Sequence, residues 1–379
     1  HAFIVYKPHP DVMSGNRAGK LALDQARALA DHVETRLSVV SCLEACSVVH
    51  TMTSLTGFDA LLPYWLGAVA IKALPFLDPA TAVRIPFMLL LALTLVSAWY
   101  AIYYLARSPQ AQPVAFAFGG EADPVDYARA IADAGLLALI ASLGLAQFSH
   151  ETTPALAQLG FTALAFYAMA ASPYRRATRI FGPALGLLIG LGGLALSGAP
   201  TLALLFGIGG ALVERSHMRW GTPGSDIASK RQSWHWVLLI ATITVLVALV
   251  SLQLDLWRWR IALAGTGAES AWIDWRNLGR LLLWFTWPAW PLALWTLWRW
   301  RRQLASRHVA LPLWFVSMAV LSCLTTSASD RSLLLGLPPL AALAAFALPT
   351  LKRSVASLID WFTLLFFTSC ALAIWVIWI

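Results

Sequence analysis

A chain of 379 residues that is 59% hydrophobic and 12% charged, with 19 Trp, lacks the charge a water-covered surface needs, which is roughly 25% of residues in soluble domains. Its mean hydropathy of +0.68 therefore excludes an ordinary soluble globular domain and requires lipid to cover much of it. The net charge of +8 raises the question of a polyanionic partner, but most Lys and Arg stand in short loops between apolar runs, where they set membrane orientation, so nucleic acid is not an expected partner.

Residues 1–62 differ in kind from the rest of the chain. A short apolar run at 3–6 precedes a charged amphipathic stretch at 20–37, then runs at 37–40 and 48–52. Strand, helix, strand, strand fits a small N-terminal α/β fragment, too short to bury a core alone. From about residue 64 the apolar runs approach the 20 or so residues that span a bilayer. Spans are expected near 82–106, 131–149, 155–171, 180–197, 200–213, 234–252, 278–298, 310–327, 332–349 and 358–379. The expected fold class is thus mainly α, a polytopic transmembrane helix bundle of about nine or ten spans over residues 63–379, behind an α/β fragment at 1–62.

One set of alternate loops holds Arg107; Arg175, Arg176 and Arg179; Arg215, Arg219, Lys230 and Arg231; Arg299, Arg301, Arg302 and Arg307; and Lys352 and Arg353. The positive-inside rule assigns these to the cytoplasm. The opposite set holds His150 and Glu151, the turn at 197–200, the loop at 253–277 and residues 327–331, and faces outward. Trp257, Trp259, Trp272, Trp275, Trp284, Trp287 and Trp290 cluster at one end of two spans, as an aromatic belt at headgroup depth does; sugar stacking on one or two is the sharper alternative. Cys42, Cys46, Cys323 and Cys370 show no metal-ligand spacing, so neither a metal nor a cofactor is expected.

An ionisable group at a span end is a functional candidate. Glu151, with His150 beside it, lies in Ser149-His150-Glu151-Thr152-Thr153-Pro154 between two spans, where a carboxylate could accept a proton; the plain alternative is a solvated turn with Glu151 near a positive helix start. Arg331 beside Asp330 could grip a phosphate, or the two could form a local ion pair. Arg84 reads chiefly as a snorkelling anchor at a span end. The acids Asp255, Glu269 and Asp274 alternate with Arg258, Arg260 and Arg276 and read as solvated. Gly190, Gly192, Gly193, Gly207, Gly209 and Gly210 read as helix-packing positions.

Three motifs carry a resemblance. Leu62-Pro63-Tyr64-Trp65-Leu66-Gly67, Ala82-Val83-Arg84-Ile85-Pro86 and Asp330-Arg331-Ser332-Leu333-Leu334-Leu335-Gly336-Leu337-Pro338-Pro339 are similar, in order, to stretches of the C-type glycosyltransferase superfamily, polytopic enzymes related to protein mannosyltransferases and the aminoarabinose transferase of lipid A. The resemblance implies transfer of a sugar from a polyprenyl-phosphate donor to a glycolipid or polysaccharide acceptor. It also implies an outward acid as general base, Glu151 in the place of a second acid, and Arg331 with Asp330 and Arg84 beside the lipid-phosphate cavity. The family's usual acidic pair, which precedes the first motif, is replaced here, and its Tyr in the third motif is Ser332, so an inactive chain is one expectation.

A second resemblance rests on Phe3-Ile4-Val5-Tyr6-Lys7-Pro8-His9-Pro10-Asp11-Val12 with Gly15 and Arg17, and on Thr51-Met52-Thr53-Ser54-Leu55-Thr56-Gly57-Phe58-Asp59-Ala60-Leu61. These are similar to capsule-polysaccharide proteins that add Kdo to a lipid primer from CMP-Kdo. His9 and Pro10 leaving a strand end, and Thr53 and Ser54 before a helix, suit a nucleotide phosphate; an ordinary N-cap and a turn residue are the alternatives. The two matches abut at residues 61–63 and belong to opposite membrane faces, so a chimeric chain truncated at both ends is expected. Both halves nevertheless imply envelope polysaccharide or glycolipid assembly at a bacterial inner membrane. A non-catalytic transporter or flippase component is the competing class, which would need ionisable groups near the midplane, and these are scarce.

Overall fold

Proline and aspartate start several of the helices. The computed structural model describes residues 5–6, 32–33, 60–112, 123–174, 181–220, 227–257, 276, 279–325, 333–351 and 353–378. Its helices are α1 Leu62–Ala73, α2 Pro79–Ala106, α3 Pro124–Ile140, α4 Leu143–Phe148, α5 Pro154–Ala171, α6 Phe181–Leu196, α7 Pro200–Trp220, α8 Ile227–Gln253, α9 Ala289–Arg299, α10 Arg307–Thr325, α11 Leu337–Ala345 and α12 Arg353–Trp378. Proline occupies the first turn of α1, α2, α3, α5 and α11, where its missing N–H costs no hydrogen bond. Asp78 and Asp123 cap α2 and α3 by accepting from Ala80 N at 3.1 Å and Val125 N at 2.7 Å.

The protein is mainly helical, and Pro79–Ala106, Pro154–Tyr174 and Trp234–Gln253 are long and apolar enough to cross a membrane. These three differ in where they sit. In the α5 stretch 83% of the apolar window is buried inside the protein, against 33% in α8, so α5 is a central post and α8 turns most of its apolar surface outward. Leu90 lies against Gly160, and Tyr104 stacks on Tyr174 at 5.6 Å. The second contact lies equally far beyond the first along both segments, so α2 and α5 run side by side in the same direction.

Two of the expected spans are broken. The run at 131–149 divides into α3 and α4 because Leu143 N donates to Trp287 O at 3.0 Å instead of to the preceding turn, while Ser142 Oγ donates back to Ala138 O at 2.8 Å. The ring of Phe285 fills the space where a Cβ on Gly144 would stand, at 2.4 Å, so only glycine lets α4 approach that segment. The run at 278–298 is helical at 279–285 and again from Ala289, with turns at 286–288 between. The run at 200–213 continues as helix to Trp220. Helix α1 arises where no element was expected.

In the N-terminal segment, Val5–Tyr6 pairs in parallel with His32–Val33. The first strand agrees with the run at 3–6. The second falls inside the stretch at 20–37 that periodicity reads as helix. The runs at 37–40 and 48–52 lie outside the described residues.

Small residues let α5 and α6 pack at backbone distance. A Cβ on Gly190 would meet the Ala165 nitrogen at 2.7 Å and its Cα at 2.9 Å, and main chain cannot swing aside as a side chain can. Gly190→Ala is therefore expected to cost about 1–3 kcal/mol by overpacking, more than the helix propensity it gains. Thermal unfolding in detergent checks this, and an unchanged midpoint would mean that the two helices do not touch there. Between α6 and α7, Gly198 has φ 94°, a left-handed turn that any other residue would strain.

Candidate functional site

At the end where α2 and α5 begin, three of the predicted residues come to one level. Glu151 stands in the turn between α4 and α5, half-buried, with its backbone N–H donating to Phe148 O at 3.2 Å. His150 beside it is exposed. Arg84, in the second turn of α2, is also exposed. The parallel course of α2 and α5 brings Arg84 to the level of Pro154, so a carboxylate and a guanidinium share this end. Leu61 N donates to Leu196 O at 2.8 Å, which ties the start of α1 to the same end through α6. Gln158 Nε2 donates to Ser197 O at 2.7 Å and fastens α5 to the α6–α7 turn.

A carboxylate is the type of group that can accept a proton from a polar molecule at this end. Asp330 and Arg331, and His9, Pro10, Thr53 and Ser54, lie outside the described residues. Among the described residues no cluster of three or more His, Cys, Asp or Glu could hold a metal ion.

The opposite end holds a polar group that periodicity and charge counting missed. Arg307, at the start of α10, is buried with Glu214 of α7, which accepts from its guanidinium. The same guanidinium donates to Ser172 Oγ at 2.6 Å and to Met169 O, so one side chain joins α5, α7 and α10. Arg307 is thus not the solvated loop cation that its place in a basic run implies. The clue is Glu214 itself, an acid one residue beyond an apolar run and immediately before Arg215. Because the two charges are paired with each other inside the protein, this group clasps helices. Nearby, Arg107 lies over the Tyr103 and Tyr174 rings at 5.7 and 5.5 Å.

A second missed residue is Asp133. It lies on an exposed face within the expected second span and accepts from Trp99 Nε1 at 2.7 Å. The indole supplies a donor to a carboxylate that apolar surroundings would otherwise leave costly.

Comparison with known proteins touches a small part of the chain. A 62-residue stretch, 16% of this chain, is 52% identical to the capsule polysaccharide modification protein LipA of Neisseria meningitidis serogroup A / serotype 4A, strain DSM 15465 / Z2491. The same length is 50% identical to LipA of N. meningitidis serogroup B, strain ATCC BAA-335 / MC58. The match spans 9% of each of those proteins. Its length equals that of the segment carrying the capsule-protein resemblance. No family model matches the chain, and no solved structure does.

Proposed function

We propose that this chain serves capsule or related envelope polysaccharide assembly from the bacterial inner membrane, as a multi-pass bundle that moves a sugar from a polyprenyl-phosphate donor to a glycolipid or polysaccharide acceptor at its outer mouth. The observation that carries the chemical part is Glu151, a half-buried carboxylate at one end of the bundle with Arg84 on the same level. In this reading Glu151 removes the acceptor proton, His150 flanks it, and Arg331 with Asp330 and Arg84 holds the departing lipid phosphate. The division into an N-terminal part at 1–62 and a membrane part at 63–379 belongs to the same proposal. The three span-length helices support the membrane setting, and the 62-residue identity supports the capsule setting.

That identity also favours a second reading, in which His9, Pro10, Thr53 and Ser54 belong to a nucleotide-phosphate half-site for CMP-Kdo. One assay separates the two. The full chain, purified in mild detergent, is offered a radiolabelled polyprenyl-phosphate sugar or CMP-Kdo, each with a glycolipid acceptor extract. Label passing only from the polyprenyl donor is the expected result; transfer only from CMP-Kdo gives the second reading, and transfer from neither removes both.

A further inference from the structure

The turn that joins α9 to α10 carries three arginines that the sugar-transfer reading does not use. Arg299 closes α9, and Arg301 and Arg302 come directly after its C-cap residue Trp300; all three are exposed. With Trp298 they line a recess of about 260 Å3. Among the described residues none of them pairs with a carboxylate. The guanidinium of Arg301 lies 5.3 Å from the centre of the Trp298 ring, a cation–π contact.

The turn itself is tightly bonded. Gln303 N donates to Trp300 O at 2.7 Å, Ser306 N to Gln303 O at 2.9 Å, and Ser306 Oγ to the same oxygen at 2.6 Å. Beside the cationic rim runs an apolar strip: Leu294 and Trp298, one helical turn apart, are 56% and 57% exposed, and Leu304 is 39% exposed. Helix-dipole complementation accounts for Arg299 alone, because that effect fades within the last turn. It leaves the pairing of Arg301 and Arg302 with an exposed Trp–Leu strip without a cause.

We propose that this turn is a binding site for an anionic phospholipid of the surrounding bilayer, with the headgroup phosphate held by Arg299, Arg301 and Arg302 and the acyl chains laid along Leu294 and Trp298. Charge complementarity selects the phosphate, and guanidinium groups can engage it through paired hydrogen bonds. The apolar strip selects an amphiphile over a free anion, whose binding would leave Leu294 and Trp298 in water. Basic recesses at the cytoplasmic ends of membrane helices suit this ligand class, each arginine near an anionic surface being worth about fivefold in affinity. The inference rests on the membrane setting proposed above and is independent of the sugar chemistry at the opposite mouth.

The test uses the full chain in mild detergent, titrated with phosphatidylglycerol or phosphatidylcholine of matched acyl chains, with bound lipid counted by native mass spectrometry. Phosphatidylglycerol is expected to be retained at least about tenfold more tightly. The variant R299Q/R301Q/R302Q is expected to fall to the phosphatidylcholine level with an unchanged unfolding midpoint, since these side chains are exposed. Single variants R301Q and R302Q should show graded losses, which keeps the test sharp if the triple variant folds poorly. Equal retention of the two lipids by the unaltered chain, or a preference that survives in all variants, overturns the proposal. Complete displacement of phosphatidylglycerol by millimolar inorganic phosphate would also overturn it, by assigning the turn to a free anion. None of these readouts requires sugar transfer, so this inference and the transferase reading fail separately.

Discussion

Glu214→Gln is expected to destabilise the bundle by about 3 kcal/mol, and Glu214→Ala by about 3–5 kcal/mol, the range for removing one member of a buried ion pair. The loss comes less from missing attraction than from the charge left behind. Arg307 would remain buried among α5, α7 and α10 with only the neutral Met169 carbonyl and Ser172 hydroxyl to solvate it. Glutamine keeps a carbonyl acceptor near the guanidinium, which places it at the low end. The double variant E214L/R307M separates these causes: with both charges replaced by apolar groups of similar bulk, stability should return to within about 1 kcal/mol of the unaltered chain or exceed it. Unfolding in mild detergent, followed by tryptophan fluorescence, measures the parent, E214L, R307M and the double variant, the four corners of that cycle, beside Glu214→Gln and Glu214→Ala. A single variant that unfolds like the parent would mean that water reaches this pair and that it does not join the three helices.

Glu151→Gln is the second large effect. If Glu151 removes the acceptor proton, glutamine abolishes the basicity while keeping size and hydrogen-bonding capacity, and the transfer rate should fall by about 10²–10⁴-fold. Donor binding should be nearly unchanged, because the phosphate is gripped elsewhere in this reading. Stability should also hold, since Glu151 is half-buried in a turn and not clamped between helices. Single-turnover transfer from a labelled polyprenyl donor, with donor affinity measured on the same preparation, gives both numbers. Full activity in the glutamine variant would assign Glu151 to the helix start of α5 and move the base to the residues outside this mouth.

The bundle and the ends of many of its helices are legible without coordinates because they follow from local chemistry. Pro154 begins a helix, and the apolar runs at 155–171 and 180–197 appear as α5 and α6 to within one residue, while α2 starts three residues before its run at 82–106. A turn at His150 and Glu151 was legible for the same reason, since it lies between two such runs. Interruptions within a run were not. The run at 131–149 breaks before Leu143 because the N–H of Leu143 finds Trp287 O, on a segment more than a hundred positions away, and no window of neighbours contains that partner.

Composition and periodicity by themselves determined that the chain is strongly apolar, that helices dominate it, and where α5, α6 and α7 begin, because each depends on a residue and its near neighbours. Only the tertiary structure decided that α5 is the buried post and α8 an outer face, that Arg307 is a clasp, and that Asp133 has an indole partner. Two arginines eight positions apart, Arg299 and Arg307, look alike in sequence. One ends exposed on a cationic rim and the other buried against Glu214, because burial of a charge depends on which distant acid the packing brings within reach.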